Sequence, residues 1–225
     1  MAIPLVVRDF LPLEVAVLSE THLHLAQALS ETECRVGPTP AGLTGHDVHF
    51  YKTEDQLSKV VVDYLAEGLR VGQPVVVIAS KARRERFAAG LRARNLDPDE
   101  LLSGRLAIWL DARETLDAFF QGGQPDRELF MATVGRVFEH LLDKHYYLVV
   151  RAYGEMVDVL WQDGNYEAAI LVEKYWNELA NLYRYSLLCG YSIKEFEDEA
   201  RREGFSKVCG CHSRAFPIEP SQHVA

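Results

Sequence analysis

Residues Tyr147–Tyr191 read YLVVRAYGEMVDVLWQDGNYEAAILVEKYWNELANLYRYSLLCGY, and this stretch decides the fold. An apolar run, YLVVRAYG, stops at Glu155 and gives way to helical spacing. Two helices follow, divided by the Asp163-Gly164-Asn165 turn, and a second apolar run, YSLLCGY, closes the unit. Strand, helical crossover and strand is the pattern of a parallel sheet, and strands this continuously apolar are covered on both faces. Open sheets of this kind bind ligands beyond the carboxyl ends of their strands. The break at Glu155 therefore puts Tyr153, Glu155, Asp158, Trp161, Glu173, Trp176 and Asn177 into one candidate neighbourhood. Acids and an amide inside an aromatic wall suit a small-ligand pocket.

The same alternation extends over the chain from His46. HDVHFY is a first strand, and Glu54 to Leu69 a helix, with Thr53 as its N-cap and Gln56 completing a capping box. RVGQPVVVIAS is a strand and Lys81 to Arg94 a helix capped by Ser80; Asp97 to Leu102 is a short helix and RLAIWLDA a strand ended by Asp111. Helices at Ala112 to Phe120 and Arg127 to Lys144 flank a QGGQPD turn, and those of the opening stretch run Met156 to Gln162 and Tyr166 to Tyr183. Beyond Tyr191, Ile193 to Arg202 reads as a helix and FSKVCGCHS as a last extended piece. The fold class is α/β, a mainly parallel central sheet with helices on both faces.

Three segments are expected. Residues 1–45 carry an amphipathic helix near Leu13 to Glu31, with Val15, Leu18, His22, Leu25 and Leu29 on one stripe, and then the Pro/Gly linker GPTPAGLTG. That helix docks on its own domain or on a partner. Residues 46–217 form the α/β domain, and residues 218–225 a flexible tail.

Among 225 residues, 48% are hydrophobic and 25% charged, enough for a sizeable core. A net charge of -9 argues against direct nucleic-acid binding, which needs a clustered basic face. The basic run Lys81 to Arg86 reads as a solvated helix face. No run of about 18 apolar residues and no signal-peptide pattern appears, so the expected location is cytoplasmic with no membrane contact. Four cysteines, Cys34, Cys189, Cys209 and Cys211, are too few and irregular for a disulfide framework.

The first strand-to-helix junction, FYKTEDQLSK, has Lys52-Thr53 but no glycines to wrap a phosphate, and Glu54 and Asp55 would repel one at that helix end. On the first strand, alternation turns His49 and Tyr51 to one face and His46 to the other, which makes the histidines a poor chelate. His49 and Tyr51 offer hydrogen bonds at a strand's carboxyl end, although a buried core histidine is the ordinary alternative. Glu155 and Asp158 share a helical face, either as dipole-complementing acids at a helix start or as ligand acceptors. Glu173, Trp176 and Asn177 share another. Cys209, Cys211 and His212 make a CxCH run, a weak metal or redox-thiol signal because a zinc site needs a fourth ligand.

In order, HDVHFY, GLRVGQPVVVIAS, GRLAIWLDARETLDAF, AYGEMVDVLWQDGN, LVEKYWNELA, SLLCGY and VCGCHSRAFP resemble the MEDS family, the sensory domain named for methanogens, methylotrophs and the dichloromethane regulator DcmR. The resemblance runs from His46 to Pro217. It implies a ligand-sensing module of prokaryotic signalling, found beside helix-turn-helix regions or histidine kinases and also alone, that perceives small hydrocarbon derivatives. The family is similar in layout to KaiC and RecA ATPase cores, which implies a RecA-like three-layer sandwich. This chain departs from that class by lacking the Walker A loop and by having Arg151 where an acidic metal-holding residue is expected at the end of the fourth strand. The family's pattern marks His49, Tyr51, Tyr153, Gly154, Glu155, Asp158, Trp161, Glu173, Trp176, Asn177, Cys189, Cys209 and His212.

The expectation is a non-catalytic sensing and regulatory module without a cofactor. It binds a small organic ligand through His49, Tyr51, Tyr153, Glu155, Asp158, Trp161, Glu173, Trp176 and Asn177, and signals through a histidine kinase or transcription regulator. A homodimer is the assembly that signalling modules commonly adopt. The alternatives are a residual nucleotide-binding RecA-like ATPase, a small-molecule enzyme with Glu155 as acid or base, and a metal or thiol redox sensor using Cys209, Cys211 and His212.

Overall fold

Val75–Ala79 (β2) is VVVIA, and every one of its residues is buried, as a strand covered on both faces requires. Around it the computed structural model, which describes residues 38–103, 106–142, 149–196 and 199–216, builds a six-stranded sheet. The strands are Gly45–Tyr51 (β1), β2, Ala107–Asp111 (β3), Val150–Gly154 (β6), Tyr185–Ser192 (β7) and Arg214–Phe216 (β8), in the order β3-β2-β6-β7-β1-β8. All neighbouring pairs are parallel. A two-stranded hairpin, Phe120–Gln121 (β4) with Gln124–Pro125 (β5), stands apart. It lies where the sequence showed a QGGQPD turn; Gly122 and Gly123 both have positive φ, as a tight hairpin turn needs.

Period-2 alternation gives each strand two apolar faces, and two helical layers cover them. Glu54–Arg70 (α1), Lys81–Arg92 (α2) and Pro98–Ser103 (α3) pack on one face, through Leu57, Val61, Leu65, Phe87, Leu91 and Leu101. Ala112–Asp117 (α4), Arg127–Phe130 (α5), Arg136–Leu142 (α6), Met156–Gln162 (α7), Tyr166–Leu179 (α8) and Glu199–Cys211 (α9) contribute to the core on the other face. This is the three-layer α/β sandwich expected from the alternation.

Several boundaries differ from the sequence reading. The expected helix Arg127 to Lys144 contains a π-helical turn, Met131–Gly135, between α5 and α6. At the end of the domain the expected helix Ile193 to Arg202 divides into a 3₁₀ turn, Ile193–Phe196, and the start of α9, and the piece read as extended, FSKVCGCHS, lies mostly in α9. Phe205, Val208 and Cys209 are buried at three- and four-residue steps, a helical stripe that the strand-like look of the segment concealed. The helix expected at Leu13 to Glu31 and the tail 218–225 fall outside the described residues. Part of the expected linker belongs to the domain, because Thr39 is buried, donates its N–H to Asp47 at 2.6 Å and offers its carbonyl to Arg151 at 2.8 Å.

Candidate functional site

Two buried ionic clusters lie on opposite faces of the sheet. The first stands beyond the carboxyl ends of β1, β2, β6 and β7. Arg83 of α2 reaches it because its position shares a stripe with Phe87 and Leu91, so its stem is buried with theirs. Its guanidinium grips Glu54 in a bidentate pair at 2.7 and 3.0 Å, and meets Glu155 and Asp158 at 3.2 Å each. It also donates to the Tyr51 hydroxyl, over whose ring it stacks at 5.1 Å. Tyr51 in turn donates to Asp158 at 2.6 Å, and Asp158 accepts further bonds from Gln162 and the Ser192 N–H at 3.0 Å each. Glu155 accepts the Ser80 N–H at 2.6 Å. Burial pushes the Glu155 carboxyl up, and the Arg83 charge offsets this in part.

Tyr153 and His49 flank this cluster. Gly190 pairs with His49 in register, and a side chain there would meet the Tyr153 hydroxyl, so its glycine makes room for the Tyr153 ring. The Tyr153 hydroxyl and both His49 ring nitrogens are buried without a hydrogen-bond partner. Burial drives the Tyr153 phenol well above its ordinary value and lowers His49 to about 4.

The second cluster lies between the sheet and helices α8 and α9, centred on Glu173, which is fully buried. Glu173 Oε2 lies 3.1 Å from His46 Nε2 and accepts from the Cys189 thiol at 3.6 Å; Oε1 lies 3.4 Å from His212 Nε2 and accepts from the Tyr191 hydroxyl at 2.8 Å. His46 Nε2 is also 3.4 Å from the Cys189 sulfur. Desolvation alone would raise the Glu173 carboxyl, but the His212 and His46 imidazoles outweigh it and hold the group below the usual range. Burial pushes the Cys189 thiol well up, and Glu173 adds to this.

These placements revise the neighbourhood inferred from the sequence. Tyr51, Tyr153, Glu155 and Asp158 come together with Arg83, and His49 shares their face. Glu173 and Asn177 belong to the second cluster, on the opposite face. Trp161 and Trp176 are core residues of that face: Trp176 packs edge-on against Phe130, and Trp161 against Tyr191. One pocket holding all of them is not formed, since odd and even strand positions point to different layers. Of the CxCH run, His212 alone joins the donor cluster; Cys209 and Cys211 sit two apart on a helix and diverge.

Three residues were misjudged or missed. Arg83 is 7% exposed, not part of a solvated face, and its i, i+4, i+8 relation to Phe87 and Leu91 was the available signal. His46, dismissed as a chelate with His49, finds its partners on other elements. Arg151 does not stand at a strand's carboxyl end; it is the second residue of β6, stacked on Tyr64 at 4.3 Å and bonded to its carbonyl, while Glu155 occupies the strand end. The central groups of the two clusters, Arg83 and Glu173, are buried. An open cleft of about 320 Å³ between α2, α3 and β3 is lined by residues of neither, among them Lys81, Arg84 and Trp109.

A parallel α/β sandwich whose first strand-to-helix turn lacks a phosphate loop defines the class. The MEDS family, described as the MEthanogen/methylotroph, DcmR Sensory domain, matches residues 45–212, and the chain belongs to it. No curated protein matches the sequence. Among solved structures, a KaiC-like protein from the hyperthermophilic archaeon Pyrococcus horikoshii OT3 is similar at 12% identity and a TM-score of 0.46, over 70% of this chain and 72% of that one. Among the described residues no helix is long and apolar enough to cross a membrane.

Proposed function

We propose that the chain is a non-catalytic sensing module that takes up a small organic molecule beside the Arg83 cluster and passes the change to a partner protein by contact. The observation that carries this reading is the pair of unpartnered groups, the Tyr153 hydroxyl and the His49 imidazole, buried next to the cluster at the carboxyl ends of the strands. Buried polar atoms are normally satisfied, and these two, on the face of the sheet that carries the Arg83 cluster, are the ones the proposal assigns to a ligand. Charge narrows its class. Three carboxylates against one guanidinium leave an acidic surround that repels a polyphosphate and admits a neutral or cationic molecule.

Arg83 ties α2 to the start of α7 through Glu155 and Asp158. A ligand that competes for those bonds favours an arrangement in which the two helices are less tightly joined, and a partner that reads either helix senses the shift. A histidine kinase or a transcription regulator fits as the receiver, since MEDS domains belong to signalling.

Thermal unfolding with a panel of small alcohols, ketones and chlorinated hydrocarbons, beside magnesium-ATP, tests the reading. A member of the panel should raise the midpoint of the wild type and not of Tyr153→Phe, and magnesium-ATP should leave it unchanged. Submillimolar ATP binding that depends on Lys52 or Thr53 would overturn the proposal in favour of a nucleotide-handling protein.

A further inference from the structure

Around Glu173 the structure assembles a donor set that the sensing site does not use. His46 Nε2, a Glu173 carboxylate oxygen, Cys189 Sγ and His212 Nε2 come from β1, α8, β7 and the end of α9, and all lie within 4.8 Å of one another. A tetrahedral zinc ion holds nitrogen, oxygen and sulfur donors at its own bond lengths, which sets them about 3.3–3.7 Å apart. Two of the edges, 3.4 Å from His46 to Cys189 and 3.6 Å from Cys189 to Glu173, already have that size, and the third, 3.1 Å from His46 to Glu173, lies just below it.

The groups behind these donors aim them. Asn177 donates its amide to the Cys211 carbonyl at 2.9 Å, which turns Oδ1 toward His46 Nδ1, also at 2.9 Å. His212 Nδ1 meets the Val208 carbonyl at 2.6 Å. A carbonyl oxygen only accepts, so each imidazole carries its proton on Nδ1 and, when neutral, presents the Nε2 lone pair inward. His212 Nε2 is buried and faces Glu173 Oε1 at 3.4 Å, and the Tyr191 hydroxyl steadies the carboxylate. Orienting bonds of this kind are what metal ligands characteristically have behind them.

We propose that His46, Glu173, Cys189 and His212 form a closed tetrahedral site for a divalent transition-metal ion of the zinc class. Two imidazoles, a carboxylate and a thiolate suit zinc or cobalt, and four protein donors leave no open position for a substrate. On binding, the Cys189 thiol gives its proton to solvent. The ion clamps α9 and the edge strand β8 onto the sheet, since His212 precedes β8 directly and the Ser213 N–H bonds the His46 carbonyl at 2.6 Å.

Full-length protein purified without chelators and titrated with zinc or cobalt alone tests this. The expected result is one ion per chain, with cobalt giving tetrahedral bands and a thiolate charge-transfer band that Cys189→Ser removes and Cys209→Ser leaves intact. Asn177→Ala, which loosens one ligand without removing it, should weaken binding about 10–100-fold. Zinc-edge absorption of the wild type reads one sulfur and three lighter donors without relying on any variant's folding. Substoichiometric metal, a sulfur count other than one, or a thiolate band that survives Cys189→Ser would overturn the site.

Discussion

The two faces of the sheet each bury an ionic cluster, and the clusters differ in what stands at the centre. On one face a guanidinium sits among carboxylates, with Glu54, Glu155 and Asp158 around Arg83. On the other a carboxylate sits among bases, with His46 and His212 around Glu173 and the Cys189 thiol beside it. Guanidinium stays charged and has no lone pair, so the first cluster can be satisfied only by acceptors and behaves as a lock between helices. Imidazole and thiol groups can each present a lone pair, so the second can exchange protons for a cation. Similar burial of charge thus serves two chemistries, separated by the centre of the cluster and by the layer it faces.

The strongest way to break the comparison is Arg83→Met. Removing the cation leaves Glu155 and Asp158 buried without compensation, and breaking such a pairing costs about 3–5 kcal/mol in denaturant unfolding. Arg83→Met combined with Asp158→Asn should recover part of that loss; an undiminished single variant would show that no lock exists.

His49 gives the next effect, and it depends on pH. Its imidazole is held at about 4 by burial against an ordinary value of 6.5, so the unfolded chain takes the proton first as acid is added. This contribution is full above pH 6.5 and is lost as pH falls from 6.5 to 4, about 3 kcal/mol in all. His49→Phe should flatten that part of the stability curve, as read by unfolding at pH 7.5 and 4.5. An unchanged acid sensitivity would assign it to other groups.

Glu173→Gln in metal-free protein should cost about 1.5–3 kcal/mol by thermal unfolding, the worth of charge-assisted hydrogen bonds, and less than Arg83→Met because the amide oxygen still accepts from the Tyr191 hydroxyl. A cost equal to that of Arg83→Met would erase the distinction between the two centres. The smallest effect sharpens the reading of the first turn. Thr53 accepts the Gln56 N–H as an N-cap, so Thr53→Ala should cost about 1 kcal/mol and leave the ligand response intact.

Much of the fold was legible in residue patterns. The apolar runs at β2, β6 and β7, the N-cap at Thr53 and the Asp163-Gly164-Asn165 turn are local signals, and each element they mark is present. The pattern misled at FSKVCGCHS, where small and β-branched residues look extended but Phe205 and Val208 are spaced for a helix. The site was legible only by halves. Tyr51, Tyr153, Glu155 and Asp158, which the structure brings together, stand at or just past strand ends, whereas Arg83 was hidden inside a basic run that resembles an exposed helix.

The sequence alone determined most of the strands and helices, that the sheet is parallel, and that its first turn carries no glycines, because these follow from periodicity and composition within a few residues. Which of its polar residues meet was decided by the tertiary structure. Glu173 and Trp176 share a helical stripe, yet one lies among histidines and the other in the aromatic core, and Tyr153 lies across the sheet from both. Strand order brings β1, β6 and β7 side by side, the pleat sends alternate residues to opposite layers, and only that combination distributes one sequence block between two clusters.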